Sequence, residues 1–92
     1  MGIERRRNIY EGRVQGVGFR LTARKLAADH SVSGFVRNLD DGRVELTVEG
    51  EPEELTSYLQ AIRREFGDMI RDVVEDDSGA GAEPFAGFTI RS

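Results

Sequence analysis

The sequence predicts an α+β fold in which two helices pack on one face of an antiparallel sheet. Segments 20–30 and 52–66 carry apolar residues at helical spacing, whereas segment 43–49 alternates strictly between apolar and polar residues. The other apolar segments are short and bounded by turn residues, which is typical of strands. None of the 92 residues is cysteine, so packing of these apolar faces has to hold the fold together.

The first part of the chain predicts a strand, a helix and a second strand. Residues 7–14 suit a strand that leads into a glycine-rich stretch. In residues 20–30 the charged side chains fall between apolar positions that recur at helical spacing. Residues 33–39 form the second predicted strand, and the Asp-Asp-Gly sequence at 40–42 is a hairpin signal.

The second part predicts another strand, a long helix and two weaker strands. In strand 43–49 the alternation predicts one face buried and the other exposed to water. Pro52 fits the first turn of the following helix and Gly67 fits its end. Its core stripe comprises Leu55, Tyr58, Leu59, Ile62 and Phe66. A strand at 69–76, a polar loop at 76–84 and a short strand with Phe85, Phe88 and Ile90 complete a βαββαβ order, the ferredoxin-like split βαβ arrangement.

Composition limits the classes of protein that the chain can belong to. Its length predicts a single domain over residues 1–92, and no apolar run approaches the ~20 residues of a membrane helix. The N-terminus lacks the apolar segment of a secretory signal, so we expect a cytoplasmic protein that does not contact a membrane. The net charge of −4 argues against a nucleic-acid partner. Residues Arg5 to Arg7 are interpreted as a solvated lead-in to the first strand rather than a basic arm.

The glycine-rich stretch from Gly12 to Arg20 is the first candidate for chemistry. Glycines allow the backbone to bend so that several N–H groups converge on one anion, and a helix that begins there adds its positive end. Arg20 supplies a permanent charge whose planar fork suits phosphate. On these grounds alone, phosphoryl binding and a simple tight strand-to-helix turn are about equally supported, because short glycine motifs are weak signals.

Two other polar residues deserve separate interpretation. Asn38 closes the predicted strand 33–39 just before the turn, where asparagine commonly bonds to nearby backbone. Its amide could also hold a water molecule, since it carries both a donor and an acceptor, but taken in isolation the residue favours the turn role. His30 is the only histidine, so a metal cluster or a histidine-based triad has little to build on, and we interpret it as a structural residue at a helix end.

Two motifs together resemble the acylphosphatase family. The stretch Gly12-Arg13-Val14-Gln15-Gly16-Val17-Gly18-Phe19-Arg20 is similar to the first signature of that family. The second signature is matched by the run from Gly34 to Asn38, by Gly42 to Val44 and by Gly50. The resemblance covers nearly the whole chain, including the ending Gly87-Phe88-Thr89-Ile90. In contrast to many family members, which carry threonine three residues after the arginine, this chain has Ala23.

The resemblance implies an enzyme that hydrolyses acyl phosphates to a carboxylate and inorganic phosphate, without a metal or other cofactor. It implies that Arg20 binds the phosphate and that Asn38 positions the attacking water. Backbone N–H groups would hold the same phosphate oxygens, and they belong to Gln15, Gly16, Val17, Gly18 and Phe19. Such chemistry suits these residues, because phosphoryl transfer depends mainly on positioning and charge stabilisation. The expected partner is a small acyl phosphate, bound by a monomer.

Two alternatives come from other functional classes. The chain could be a non-catalytic module that binds phosphate or carbamoyl phosphate within a larger maturation protein, although its sequence ends without a further domain. It could also be an RNA-binding domain of the same fold, which would need exposed aromatic residues on the central strands and a basic surface. Strand 43–49 has no aromatic residue and the chain is acidic, so the RNA-binding alternative ranks last.

Overall fold

The chain forms its helices and strands in the predicted order. The computed structural model describes residues 2–76 and 83–92, so most of the predicted polar loop lies outside the described residues. A short 3-10 turn, Gly67–Met69, links the second helix to the fourth strand. The elements are β1 (Glu4–Gly12), α1 (Phe19–Ala27), β2 (Val32–Asn38), β3 (Val44–Gly50), α2 (Pro52–Phe66), β4 (Ile70–Asp76) and β5 (Phe88–Arg91).

The strands form one sheet in the order β4-β1-β3-β2-β5. The first four are antiparallel to their neighbours, as predicted, but β5 is parallel to β2, so the sheet is mixed. The direction of β5 follows from the topology. Because β4 ends at the end of the sheet where β2 begins, a strand that starts from that same end at the far edge runs in the direction of β2. The α+β class with both helices on one side of the sheet is confirmed.

The main core lies between the helices and one face of the sheet. Val44, Leu46 and Val48 of β3 are completely buried there, as is the helical stripe residue Ile62. The ring of Phe19 from α1 lies 4.4 Å from that of Phe66, measured between centroids. Each of these fully buried side chains contributes about 1.5–3 kcal/mol through removal of apolar surface from water. The predicted long stripe is therefore the face by which α2 joins the core.

The face of the sheet opposite the helices, called here the second face, is also covered, contrary to the prediction for strand 43–49. Glu45, Thr47 and Glu49 are only 4%, 5% and 7% exposed. Pairing between strands explains this, since Arg5 lies opposite Glu49 and Arg37 lies opposite Glu45. The guanidinium groups of both arginines pair with these carboxylates.

Ion pairs and aromatic rings complete the cover of the second face. Arg5 pairs with Glu49 at 2.8 Å and its guanidinium also lies 4.1 Å from the centroid of the Phe85 ring. Phe85 precedes β5 instead of belonging to it as predicted, and it packs edge-on against Phe35. Residues Arg5 to Arg7 thus belong to β1 itself, and at least Arg5 is a packed residue rather than a solvated lead-in.

The helices of the described segments are all too short, or too polar, to cross a lipid bilayer. The longer of the two, α2, has 15 residues and carries charged residues near both ends.

Candidate active site

The segment 13–18 between β1 and α1, called here the glycine loop, takes its shape from two glycines. Gly16 and Gly18 have φ angles of 76° and 81°, a region in which other residues are strained. A Cβ atom at either position would meet no other atom, so conformation, not space, requires glycine. Gly12 differs, because a Cβ there would lie 2.2 Å from the backbone oxygen of Met69.

The glycine loop ends at the N-terminus of α1, where backbone donors are available. Gly18 occupies the cap position without a side chain to bond the first turn, and that turn contains no acidic residue. The first helical hydrogen bond runs from the N–H of Thr22 to the carbonyl of Gly18 at 3.0 Å. The N–H groups that precede Thr22 in the helix therefore have no intrahelical acceptor. Together with the helix dipole, they favour an anion at this point.

Arg20 stands in the first turn of α1 with an exposed side chain that lines a pocket beside the glycine loop. It makes no ion pair with any residue in the described ranges. Arg5, Arg7 and Arg37, by contrast, are held by carboxylates on the second face. The guanidinium of Arg20 is consequently available for a ligand in the pocket.

Asn38 is the last residue of β2 and lines the same pocket. It pairs with Val44 of β3 and so lies on the helix side of the sheet. Its Oδ1 atom is buried and accepts no hydrogen bond from any described residue. Buried polar atoms in folded proteins almost always have a hydrogen-bond partner, so this acceptor is available to a bound ligand or water.

The pocket that joins these residues, called here the Arg20 pocket, has a volume of about 240 Å³. Arg20 is the only charged residue among its described lining, and no carboxylate belongs to that lining. The pocket therefore attracts anions although the chain as a whole carries a net charge of −4. The described residues that line it are Val14, Gly16, Gly18, Phe19, Arg20, Leu21, Asn38 and Ile90.

Two of the residues predicted for phosphate binding lie outside this lining. Val17 belongs to the glycine loop and is 39% exposed. Gln15 has a different role, because its side-chain amide donates hydrogen bonds to the carbonyls of Leu39 and Arg43 at 2.8 and 3.0 Å. It thereby connects the glycine loop to the turn that follows Asn38.

Besides Val14, which was predicted only as a strand residue, the sequence interpretation missed two residues that the Arg20 pocket brings together with Arg20 and Asn38. Leu21 is 55% exposed and follows Arg20 directly, so its position off the core stripe of α1 was the available signal. Ile90 comes from β5, whose place beside β2 depends on the course of the chain across the sheet. Local sequence patterns carry no information on that second residue.

The remaining singled-out residues lie away from the pocket. His30 packs edge-on against the ring of Tyr58 and its Nδ1 lies 3.9 Å from a carboxylate oxygen of Glu54, as befits a structural residue. Ala23 is completely buried and its carbonyl accepts a hydrogen bond from the hydroxyl of Tyr58 at 2.8 Å. In the described part of the chain, no three histidine, aspartate or glutamate side chains form a group that could hold a metal ion.

Comparison with known proteins identifies the family. The sequence model of the acylphosphatase family matches residues 6–90. The chain belongs to the acylphosphatase family. That match includes the glycine loop, Arg20 and Asn38, together with every strand and helix apart from the first residues of β1 and the last residue of β5.

Curated acylphosphatases from bacteria and archaea are similar in sequence. The acylphosphatase of Bacillus velezensis is 50% identical over 56 residues, which is 61% of this chain and 62% of that relative. The aligned part thus spans less than two thirds of the length of this relative. The acylphosphatase of Caldivirga maquilingensis is 39% identical over 86 residues, covering 92% of this chain and 90% of the relative.

The fold of the acylphosphatase domain agrees with a crystal structure. The structure of the acylphosphatase from Bacillus subtilis superimposes with a TM-score of 0.80 and 35% sequence identity. That superposition covers 99% of this chain and 100% of the other. The mixed sheet with two helices on one face is therefore the fold of an acylphosphatase.

Proposed function

We propose that this protein is an acylphosphatase that hydrolyses the carboxyl–phosphate bond of small acyl phosphates to a carboxylate and inorganic phosphate, without a metal ion. Members of its family act on small acyl phosphates. The observation that supports the proposal most is the meeting of Arg20 and Asn38 in one pocket with the glycine loop. Each of the three parts fits a separate requirement of phosphoryl transfer.

The phosphate of the substrate binds between the glycine loop and Arg20 in this proposal. The N–H groups at the start of α1 and along the bend at Gly16 and Gly18 donate to the phosphoryl oxygens. The guanidinium of Arg20 neutralises the negative charge that those oxygens carry in the transition state. Of the predicted backbone donors, those of Gln15 and Val17 are the least supported, because neither residue lines the pocket.

Asn38 holds the attacking water in the proposed reaction. Its buried Oδ1 accepts a hydrogen bond from the water and so aims the oxygen lone pair at phosphorus, on the side opposite the acyl oxygen. The new bond joins the water oxygen to phosphorus, while the bond from phosphorus to the acyl oxygen breaks and the carboxylate leaves with the electron pair. The water proton passes to a phosphoryl oxygen, so the reaction needs no base from the protein. A carboxylate is a stable leaving group, so no strong acid is required either.

The same proposal covers the domain organisation of the protein, its oligomeric state, its location and its partners. Residues 1–92 form a single acylphosphatase-like domain, which is supported by one continuous core cluster that contains residues of both helices and of the central strands. We propose that it acts as a monomer in the cytoplasm on a small-molecule substrate and that it binds no nucleic acid. Light scattering after gel filtration tests the oligomeric state, and fluorescence anisotropy with a labelled RNA tests the last point.

An assay of the purified protein tests the proposed activity. The protein should catalyse phosphate release from acetyl phosphate and from benzoyl phosphate. For each substrate, the rate in the presence of a chelator should equal the rate in its absence. Loss of activity in the chelator, restored by a divalent ion, would contradict the metal-independent reaction. Binding of inorganic phosphate without any hydrolysis would instead support the alternative of a non-catalytic phosphate-binding or carbamoyl-phosphate-binding module.

A further inference from the structure

Leu21 is an exposed leucine whose position the core of the protein does not explain. The buried residues of α1 are Phe19, Ala23 and Ala27, and Leu21 lies on the other side of the helix. Leu21 is 55% exposed and forms part of the lining of the Arg20 pocket. A single exposed leucine is ordinary on a protein surface, but one that adjoins a charged phosphate-binding group is placed where a substrate can cover it.

Ile90 brings a second apolar side chain to the same pocket from a different element. It lies on β5, where it pairs with Val36 of β2, and it faces the helix side of the sheet. Its side chain is only partly buried and packs against the edge of the core. The Arg20 pocket consequently has a polar part, formed by the glycine loop, Arg20 and Asn38, and an apolar part that includes Leu21 and Ile90.

The structure of an acyl phosphate relates these two parts. One bridging oxygen and one carbonyl carbon separate the acyl substituent from phosphorus, so the substituent must lie directly beside the phosphate site. In a pocket of about 240 Å³, the space beside that site is bounded by the other lining residues. Apart from Arg20, which the phosphate occupies, the described lining offers no cation to a substituent.

We propose that Leu21 and Ile90 form the acyl subsite and that the enzyme prefers acyl phosphates with an apolar substituent. This inference rests on the proposed function. An aromatic or longer aliphatic substituent covers both side chains and gains the free energy of removing apolar surface from water. The methyl group of an acetyl phosphate covers little of that surface. A substituent that carries a second carboxylate loses hydration without finding a partner charge, and it is disfavoured.

Steady-state kinetics with three substrates tests the acyl subsite. The wild-type kcat/KM should be highest for benzoyl phosphate, lower for acetyl phosphate and lowest for succinyl phosphate. In Leu21→Ala, the ratio of kcat/KM for benzoyl over acetyl phosphate should fall roughly fivefold, because about one to two methylene groups of contact are lost. Leu21→Met should retain the wild-type ratio, since methionine keeps the apolar volume.

Val74→Ala is the matched control for this substitution. Val74 is also 55% exposed, but it lies on β4, at the edge of the sheet opposite to β5 and Ile90. Its replacement should leave the ratio between the two substrates at the wild-type value. Alanine favours helix, so Leu21→Ala should fold normally, which circular dichroism verifies. An unchanged ratio in Leu21→Ala, or an equal fall in Val74→Ala, would overturn the acyl subsite.

Binding of two phosphonates distinguishes a failure of the acyl subsite from a failure of the proposed hydrolytic function. Benzylphosphonate and methylphosphonate contain a stable carbon–phosphorus bond, so their competition with inorganic phosphate measures affinity without turnover. Benzylphosphonate should bind the wild type more tightly, and Leu21→Ala should remove roughly fivefold of that advantage. Equal affinity for both compounds contradicts the acyl subsite even in an active enzyme. A protein that shows the preference but hydrolyses no acyl phosphate contradicts the proposed function instead.

Discussion

The side-chain amide of Gln15 donates a hydrogen bond to the carbonyl of Leu39 at 2.8 Å. Leu39 directly follows Asn38, so this bond joins the loop proposed to hold the phosphate to the strand end proposed to hold the water. A second bond, from the same nitrogen to the carbonyl of Arg43 at 3.0 Å, extends the connection to the other side of the turn. The two halves of the candidate site are thus fixed to each other by one side chain.

Replacement of Gln15 by alanine should impair catalysis more than it impairs folding. The carbonyls of Leu39 and Arg43 keep other partners in the turn, the N–H groups of Gly42 and Leu39, so the stability loss should be about 1 kcal/mol. The loss of alignment between loop and strand end should lower kcat roughly tenfold or more. Urea unfolding and steady-state kinetics measure the two effects. Gln60→Ala, on the exposed side of α2, serves as control, and a matching fall in its kcat would contradict the interpretation.

Replacement of Arg20 by alanine should abolish both phosphate binding and turnover. A guanidinium that neutralises a transferring phosphoryl group is worth at least roughly 1,000-fold in rate. Arg20→Lys should recover only part of the loss, because an ammonium group cannot make the paired hydrogen bonds of a guanidinium. Isothermal titration with inorganic phosphate and an acetyl phosphate assay provide the measurements. Arg24→Ala, on the same helix but outside the pocket lining, should behave as the wild type. Retained phosphate affinity in Arg20→Ala would refute the proposed binding role.

Replacement of Asn38 by alanine should abolish turnover while phosphate still binds. The rate should fall by roughly 100- to 1,000-fold, because the water loses its positioning group. The free energy of unfolding should change by less than about 1 kcal/mol, since the substitution removes a buried oxygen that has no partner among the described residues. Phosphate titration, kinetics and urea unfolding separate the three quantities. A strongly destabilised variant that keeps its activity would show that Asn38 is a turn residue only.

The stability of the protein should depend on the charge of Glu45 at acid pH. Burial alone would raise the pKa of Glu45, but hydrogen bonds from Arg37 and Arg7 outweigh it and lower the pKa below the ordinary 4.5. Because the folded state has the lower pKa, this carboxylate stabilises the fold fully above about pH 4.5 and loses its contribution as the pH falls through the folded-state pKa. Glu45→Gln should therefore cost about 1.5 kcal/mol at pH 7, and its difference from the wild type should narrow below pH 4.5.

Urea unfolding of both proteins between pH 3 and pH 7, roughly the range in which carboxylates titrate, measures that difference. Glu65→Gln, on the exposed side of α2, should follow the wild type throughout. A constant difference between Glu45→Gln and the wild type across the whole range would contradict the interpretation.

Local patterns predicted the helices and strands well because the forces that form them act over a few residues. Helical spacing located α1 and α2, and Gly67 ended α2 as predicted. The strict alternation in β3 correctly predicted a strand. It wrongly predicted that one face of this strand is exposed to water. The prediction failed because the cover of Glu45 and Glu49 comes from β1, β2 and the segment before β5, which are distant in the chain.

The sequence by itself determined the order of the elements, the bend of the glycine loop and the kinds of group present in the candidate site. These follow from backbone preferences and side-chain chemistry that each short segment carries alone. Only the tertiary structure decided which groups meet. The approach of Asn38 to Arg20, the bond from Gln15 to Leu39 and the place of Ile90 in the pocket all depend on how separate segments pack across the sheet. Such contacts result from the burial of the whole core, and no local pattern specifies them.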